Sequence, residues 1–303
     1  MKHKLSITLI LLGMFLVTQI IGIIVVGSYE PHGKDLPFGL KNPSQESNPS
    51  FVSIIISFLI AFGLVFALMK LRLSIVIRAW FLFVVALSLG ISINALIKGH
   101  VQNSQLISII IAFFLAFWKI MKPGILIHNL TELFIYPGIA AVFVPLLTPV
   151  TIIFLLLLIS FYDMWAVWKS GVMQKMAKFQ IEELNIFGGF LISSASKKVK
   201  KEIAKIRQKY KGKKIPKRIA NKKFKVNLAI LGGGDVIFPI IASGVFAKNF
   251  GLLPAIFITI GAFLALTYLM FRTEKGKSYP AMPYISLGIL AAISIWKVFF
   301  CCN

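Results

Sequence analysis

The chain has 303 residues, 58% of them hydrophobic and only 14% charged, with a mean hydropathy of +0.86. A water-soluble domain needs a larger polar skin, so this composition excludes an ordinary soluble globule and points to a membrane protein. The net charge of +23 would suit nucleic acid, but 18 of the 33 basic residues fall in one stretch, 169–225, rather than across a folded face.

A membrane-spanning helix needs about 20 apolar residues. Nine segments reach or approach that length: 5–26, 51–69, 73–97, 104–121, 127–146, 148–168, 226–248, 252–271 and 280–299. The first follows Lys2 and Lys4 and looks like a signal-peptide core. It is longer than the usual core of that kind and is read as a retained helix. Only "PLLTP" (145–149) separates the fifth from the sixth, and two prolines so close predict a turn between two helices rather than one long helix. The expected fold is therefore an all-α polytopic membrane protein with nine transmembrane helices. It divides into a six-helix N-terminal part (1–168), a basic loop (169–225) and a three-helix C-terminal part (226–303).

Lysine and arginine placement sets the expected orientation. Lys2, Lys4, Lys70, Arg72, Lys119, Lys122, the 169–225 loop, Arg272, Lys275 and Lys277 fall on one side of a nine-helix arrangement. The mixed 27–50 loop, Lys98, Lys248 and Lys297 fall on the other. This puts the N-terminus in the cytoplasm and the C-terminus outside the cell membrane. The basic loop has no aromatic stacking set, so it is read as a cytoplasmic loop near anionic headgroups and not as a nucleic-acid site. Within it, "IFGGFLISS" (186–194) is apolar but too short to span, and is expected to dip into the interface or pack on the bundle. His3, His32, His100 and His128 are scattered without metal-ligand spacing, and Cys301 and Cys302 are adjacent. No metal, cofactor or disulfide framework is expected. No internal repeat of the transporter kind is evident.

Three carboxylates lie inside apolar segments: Glu132, Asp163 and Asp235. An ionised acid at the bilayer centre costs about 2.5–3.5 kcal/mol or more, which makes each a functional candidate. Glu132, near the start of its helix and close to Lys122 and His128, suits a snorkelling or helix-end role, as does Arg78 in the third segment. Asp163 in "FYDMWAVW" precedes Lys169 by six residues and Asp235 follows Lys225 by ten. On a helical rise these offsets are roughly 9 and 15 Å. Both acids then fall in the cytoplasmic half of the membrane on oppositely directed helices, where they can meet. Two carboxylates sharing a site do not both ionise cheaply. One can therefore take a proton from water while the other polarises a carbonyl and protonates the leaving nitrogen.

Two further stretches frame them. "LGGGDVIFP" places three glycines before Asp235, which suits either close approach by an extended peptide or tight helix packing. "YPAMPY" (279–284) places two prolines at the start of the last segment, as an ordinary helix start also would.

Together these stretches resemble the presenilin and signal peptide peptidase family of intramembrane aspartyl proteases. That family carries Tyr-Asp in the sixth helix, Gly-x-Gly-Asp in the seventh and Pro-Ala-Leu at the start of the ninth. Here Tyr162-Asp163, Gly232-Gly233-Gly234-Asp235 and Pro280-Ala281-Met282-Pro283 occupy those places, with Met282 at the leucine position. The resemblance implies that Asp163 and Asp235 form a catalytic dyad. It implies that Tyr162 shapes the pocket beside Asp163, that Gly232, Gly233 and Gly234 admit a substrate strand, and that Pro280, Ala281 and Met282 close the site and touch substrate. It implies transmembrane substrates or remnant signal peptides, and a compact, archaeal-type homologue with no obligate partner subunit. Gly-x-Gly-Asp also marks the prepilin and preflagellin peptidases, which remain an alternative, as does a proton-coupled transporter using the two aspartates as a relay.

Overall fold

In the computed structural model, the described residues are 5–29, 36–40, 74–121, 124–170, 188–194, 227–273 and 279–300, with single positions between 53 and 67. The second expected span, 51–69, lies largely outside them, although its described positions are helical. Most of the basic loop and Cys301 and Cys302 also lie outside them.

Eight helices and one hairpin are described: α1 (Leu5–Tyr29), α2 (Ser74–Ile97), α3 (Ser104–Met121), α4 (Ile125–Phe143), α5 (Pro149–Trp165), β1 (Gly189–Ser194), β2 (Asn227–Gly232), α6 (Gly233–Phe250), α7 (Leu252–Arg272) and α8 (Met282–Phe300). Seven of these segments are long and apolar enough to cross a membrane. The exception is α6, whose 18 residues include Asp235, Lys248, Asn249 and several glycines. Large side chains such as Ile10, Phe113, Phe114, Phe154 and Leu287 point outward in the open. An apolar exterior of this kind suits lipid and not water, and the chain is an integral, multi-pass membrane protein.

The break expected at "PLLTP" is present. A 3-10 turn covers Val144–Leu146, and α5 starts at Pro149, where the missing N–H removes no helical bond. Thr148 caps it, its Oγ1 accepting the N–H of Thr151 at 3.2 Å.

One expected span needs correction. Residues 227–232 of the 226–248 segment form an extended strand, and the helix begins only at Gly233. The run "NLAILGGG" is apolar enough to read as helix by composition. Its pairing with β1 and its three glycines decide otherwise. Asp235 therefore lies in the first turn of α6, and the estimate of its depth from helical rise does not hold.

Helices α1, α4 and α6 form the centre of the bundle, with α2 and α3 on one side and α5, α7 and α8 on the other. Leu11, Phe15, Ile152, Leu156, Ile240, Ile258, Ile285 and Ile289 fill the core. The first segment is thus an integral part of the fold, and Gln19 on α1 donates from Nε2 to the Val236 carbonyl of α6 at 2.9 Å.

Between lipid-embedded helices there is little hydrophobic gain, so close packing carries the contact. Gly261 of α7 and Gly288 of α8 face one another so closely that a Cβ on either would meet the other's backbone, and a Cβ on Gly288 would lie 2.6 Å from the Ala265 Cβ. Gly288→Val should force α7 and α8 apart at a cost of about 1–3 kcal/mol. A lowered thermal midpoint in detergent, with activity falling alongside it, is the expected reading.

Candidate active site

Asp163 lies two residues before the end of α5, and a π-helical turn, Ala166–Ser170, continues that helix. Single π-turns commonly mark functional sites, because they re-aim the side chains beside them. The Asp163 carboxylate is held by the start of α8. Its Oδ2 accepts the N–H of Met282 at 3.1 Å, and the Ala281 N–H also donates to it. The first turn of any helix has unpaired N–H groups that favour an anion. Pro280 and Pro283 fit at these positions because they have no N–H to satisfy. Deeper in the bundle, Ser160 Oγ donates to the Leu156 carbonyl at 2.7 Å and lies within hydrogen-bond distance of Ser286 Oγ, at 2.8 Å. The Tyr-Asp and Pro-Ala-Met-Pro stretches are thus parts of one contact between α5 and α8.

Asp235 is the third residue of α6 and is half-buried. Its carboxylate accepts the N–H of Gly232, the residue that caps the helix. An acid at this position reaching back to the cap satisfies one of the free N–H groups of the first turn. A Cβ on Gly232 would lie 3.0 Å from Asp235 Oδ2, so any larger residue there would press on the carboxylate and shift it by a few tenths of an ångström. Four residues on, Pro239 lies inside the helix and removes the N–H that would otherwise bond the Asp235 carbonyl. The two carboxyl groups are close enough to act on each other electrostatically.

The glycines differ in what they face. Gly234 is exposed, and a Cβ there would have only the Phe238 ring beside it, at 3.8 Å. Gly233 instead abuts Tyr136 of α4, whose Oη would lie 3.0 Å from a Cβ there. Met282 is buried, Pro280 is buried and Ala281 is half-buried. Tyr162 is 46% exposed and its ring lies against Trp165, with centroids 6.2 Å apart.

The hairpin is not evident from the sequence; of the two expectations for the short apolar run that supplies β1, dipping into the interface or packing on the bundle, its contacts with α4 match the second. β1 and β2 pair antiparallel, with Gly189 opposite Gly232 and Leu191 opposite Ile230. Phe190 is buried among the core residues. On the outer side of β1, Asn129 of α4 forms a two-way clamp on Leu191. Its Nδ2 donates to the Leu191 carbonyl at 2.7 Å, and its Oδ1 accepts the Leu191 N–H at 2.9 Å. His128 Nε2 lies 2.7 Å from the Gly189 carbonyl.

This fixes the ladder. In an antiparallel pair, residues alternate between bonding the partner strand and facing away from it. Leu191 faces away from β2, so its opposite number Ile230 faces away from β1. The outer edge of β2 therefore presents the N–H and C=O of Ile230, and it ends at Gly232 and the Asp235 carboxylate. Ile230 is 44% exposed, and among the described residues no backbone group pairs with this edge.

Glu132 also departs from expectation. It is 2% exposed and forms an ion pair with Lys119 of α3, with His128 Nε2 at 3.8 Å, so it does not snorkel to a surface. Lys119 Nζ additionally reaches Thr131 Oγ1 at 3.3 Å.

Two carboxylates that act on each other, one near the end of α5 and one in the first turn of α6, each held by backbone N–H groups inside an apolar helical bundle, are the arrangement a membrane-embedded aspartyl protease uses. The chain belongs to the signal-peptide peptidase and presenilin aspartyl protease family, whose pattern it matches over residues 12–302. Two solved structures of a presenilin family intramembrane aspartate protease, in space groups C222 and P2, share its fold, with TM-scores of 0.58 and 0.60. They are 19% and 20% identical to it, cover 95% of this chain in each case, and are themselves covered to 99% and 96%. No curated protein matches the chain.

Proposed function

We propose that Asp163 and Asp235 are the catalytic dyad of an intramembrane aspartic endopeptidase of the Gly-x-Gly-Asp type, cutting peptide bonds within transmembrane segments or remnant signal peptides. The observation that carries this is the approach of the two carboxylates, one anchored to the start of α8 and the other to Gly232. The ionised carboxylate takes a proton from water, which attacks the scissile carbonyl carbon. The protonated carboxyl hydrogen-bonds the carbonyl oxygen, and a proton passes to the nitrogen as the C–N bond breaks. The products are a carboxylic acid and an amine.

A helical substrate hides its amides, so it must unwind first. The outer edge of β2 supports this, since an extended peptide added there bonds the Ile230 backbone groups and is led along the strand towards Asp235. Gly232 and Gly234 leave room for its backbone. Pro280, Ala281 and Met282 close the far side through α8, and Tyr162 borders Asp163. Gly233 borders the same path while making space for Tyr136.

The full topology of this reading has nine transmembrane helices, with 51–69 as the second. The N-terminus is cytoplasmic, the C-terminus extracytoplasmic, and water enters from the cytoplasmic side. The three-part division at 168 and 225 stands with it, the basic loop lies near anionic headgroups, and neither nucleic acid nor a partner subunit is needed for activity.

The test is direct. Purified protein in detergent should cut a synthetic transmembrane peptide, and a transition-state isostere of aspartyl proteases should block it. No cleavage across a panel of such peptides, or cleavage indifferent to the isostere, would sink the assignment.

A further inference from the structure

One helix holds β1 from outside the sheet. Gly189 and Leu191 are alternate residues of the strand, so both turn their backbone groups away from β2 and towards α4. Adjacent side chains meet them there. His128 Nε2 donates to the Gly189 carbonyl at 2.7 Å, since a carbonyl only accepts, and Asn129 takes the N–H and the C=O of Leu191 together. An amide that donates and accepts in this way does what a neighbouring strand would do, so α4 stands in for a third strand on this side of the hairpin. His128 is buried and is steadied in turn by the Glu132–Lys119 pair, with Glu132 Oε1 at 3.8 Å.

The other side of β1 carries the segment that holds Asp235. The Gly188 carbonyl accepts the Gly233 N–H at 3.3 Å, and Gly189 lies opposite Gly232. The start of β1 thus bears directly on the last residue of β2 and the first residue of α6, two positions before Asp235. Gly232, Gly233 and Gly234 in succession give the chain little stiffness of its own at this point. The angle between β2 and the first turn of α6 is therefore set by what the run rests on. That support is Gly188 and Gly189 of β1, and through them α4.

We propose that His128 and Asn129 are positioning residues that set where the substrate is cut. A peptide added to β2 is registered on the Ile230 backbone groups, whereas the bond that breaks is whichever amide reaches Asp235. The offset between those two points decides the cut, and the grip of α4 on β1 holds that offset constant. Released from α4, the first turn of α6 takes up a range of positions against the strand. Amides one or two residues from the main site then come within reach, at about 3.3 Å per residue of strand. Neither side chain touches the peptide, so the role rests on the dyad and the β2 edge proposed above.

The experiment compares the full-length chain with Asn129→Ala, Asn129→Asp, His128→Leu, His128→Gln, Leu89→Ala and Asp235→Ala in detergent micelles. Each is given one transmembrane peptide, and the product ends are read by mass spectrometry alongside kcat/KM and the thermal midpoint. Asn129→Ala and His128→Leu should lower kcat/KM about tenfold, the scale of a lost hydrogen-bonded contact. Both should also raise severalfold the share of product cut away from the main bond. His128→Gln, whose amide can still donate to the Gly189 carbonyl, should keep the wild-type cut. Asn129→Asp, which keeps only the acceptor for the Leu191 N–H, should fall between, and carries the same test if the alanine variant does not fold. Leu89 is buried in the separate cluster between α2 and α3, so Leu89→Ala should lower the thermal midpoint and activity at unchanged cut positions. An unchanged cut in Asn129→Ala and His128→Leu, or the same broadening in Leu89→Ala, overturns the proposal and leaves the two side chains a packing role alone. Continued cleavage by Asp235→Ala instead overturns the dyad, so the two failures are told apart.

Discussion

Alanine at either Asp163 or Asp235 should reduce cleavage of a transmembrane peptide by at least about a thousandfold, since each removes one half of a general acid–base pair. The structural costs of the two changes differ. Asp163→Ala also frees the N–H groups of Ala281 and Met282 at the start of α8. Loss of a helix cap costs about 0.5–2 kcal/mol. Asp163→Asn separates chemistry from packing, because its amide oxygen can still accept the Met282 N–H but cannot serve as base or acid. The expected outcome is a near-normal thermal midpoint with activity as low as in the alanine variant. Recovery of cleavage in Asp163→Asn would mean that the residue works only as a tether for α8. The wild-type rate should also fall on both sides of a mildly acidic to neutral optimum, since the pair works with one proton shared between two carboxyls and loses function with two or none.

The long apolar segments are legible in the sequence because length and composition suffice for them. α3, α2 and α7 lie within a residue of their expected bounds. So is the connection between α4 and α5, where two prolines and Thr148 leave little alternative. The two aspartates stand out because a charge in hydrocarbon demands a reason. The hairpin does not stand out. "NLAILGGG" and "GGFLISS" are each too short to show a period, they are separated by a long basic stretch, and a strand is specified by a partner that a linear reading does not pair with it. Glu132 misleads for a similar cause. Its true partner, Lys119, lies on the preceding helix, and three-dimensional packing brings the two together. Tyr136 and Asn129 carry no motif. Their contacts arise from what α4 faces, Gly233 on one side and Leu191 on the other.

The outer edge of β2, unpaired among the described residues, makes the second large prediction. Proline at an exposed strand edge is tolerated where the lost N–H faces outward, and disrupts the sheet where it faces the ladder. Ile230 faces outward and Ala229 faces β1, by the alternation that the Asn129 clamp on Leu191 fixes. Ile230→Pro should therefore leave the β1–β2 ladder intact while deleting the donor an incoming strand needs, and the proline ring would crowd that strand as well. The expected result is a fall in kcat/KM of about a hundredfold, from a main-chain bond lost and a close approach blocked, with the thermal midpoint nearly unchanged. Ile230→Ala, which keeps the N–H, should cost far less. Ala229→Pro should act differently, lowering the thermal midpoint because it breaks a ladder bond beside the buried Phe190. If Ile230→Pro and Ile230→Ala behave alike, substrate is not held by this edge, and the peptide must reach Asp235 across the exposed face of Gly234 alone.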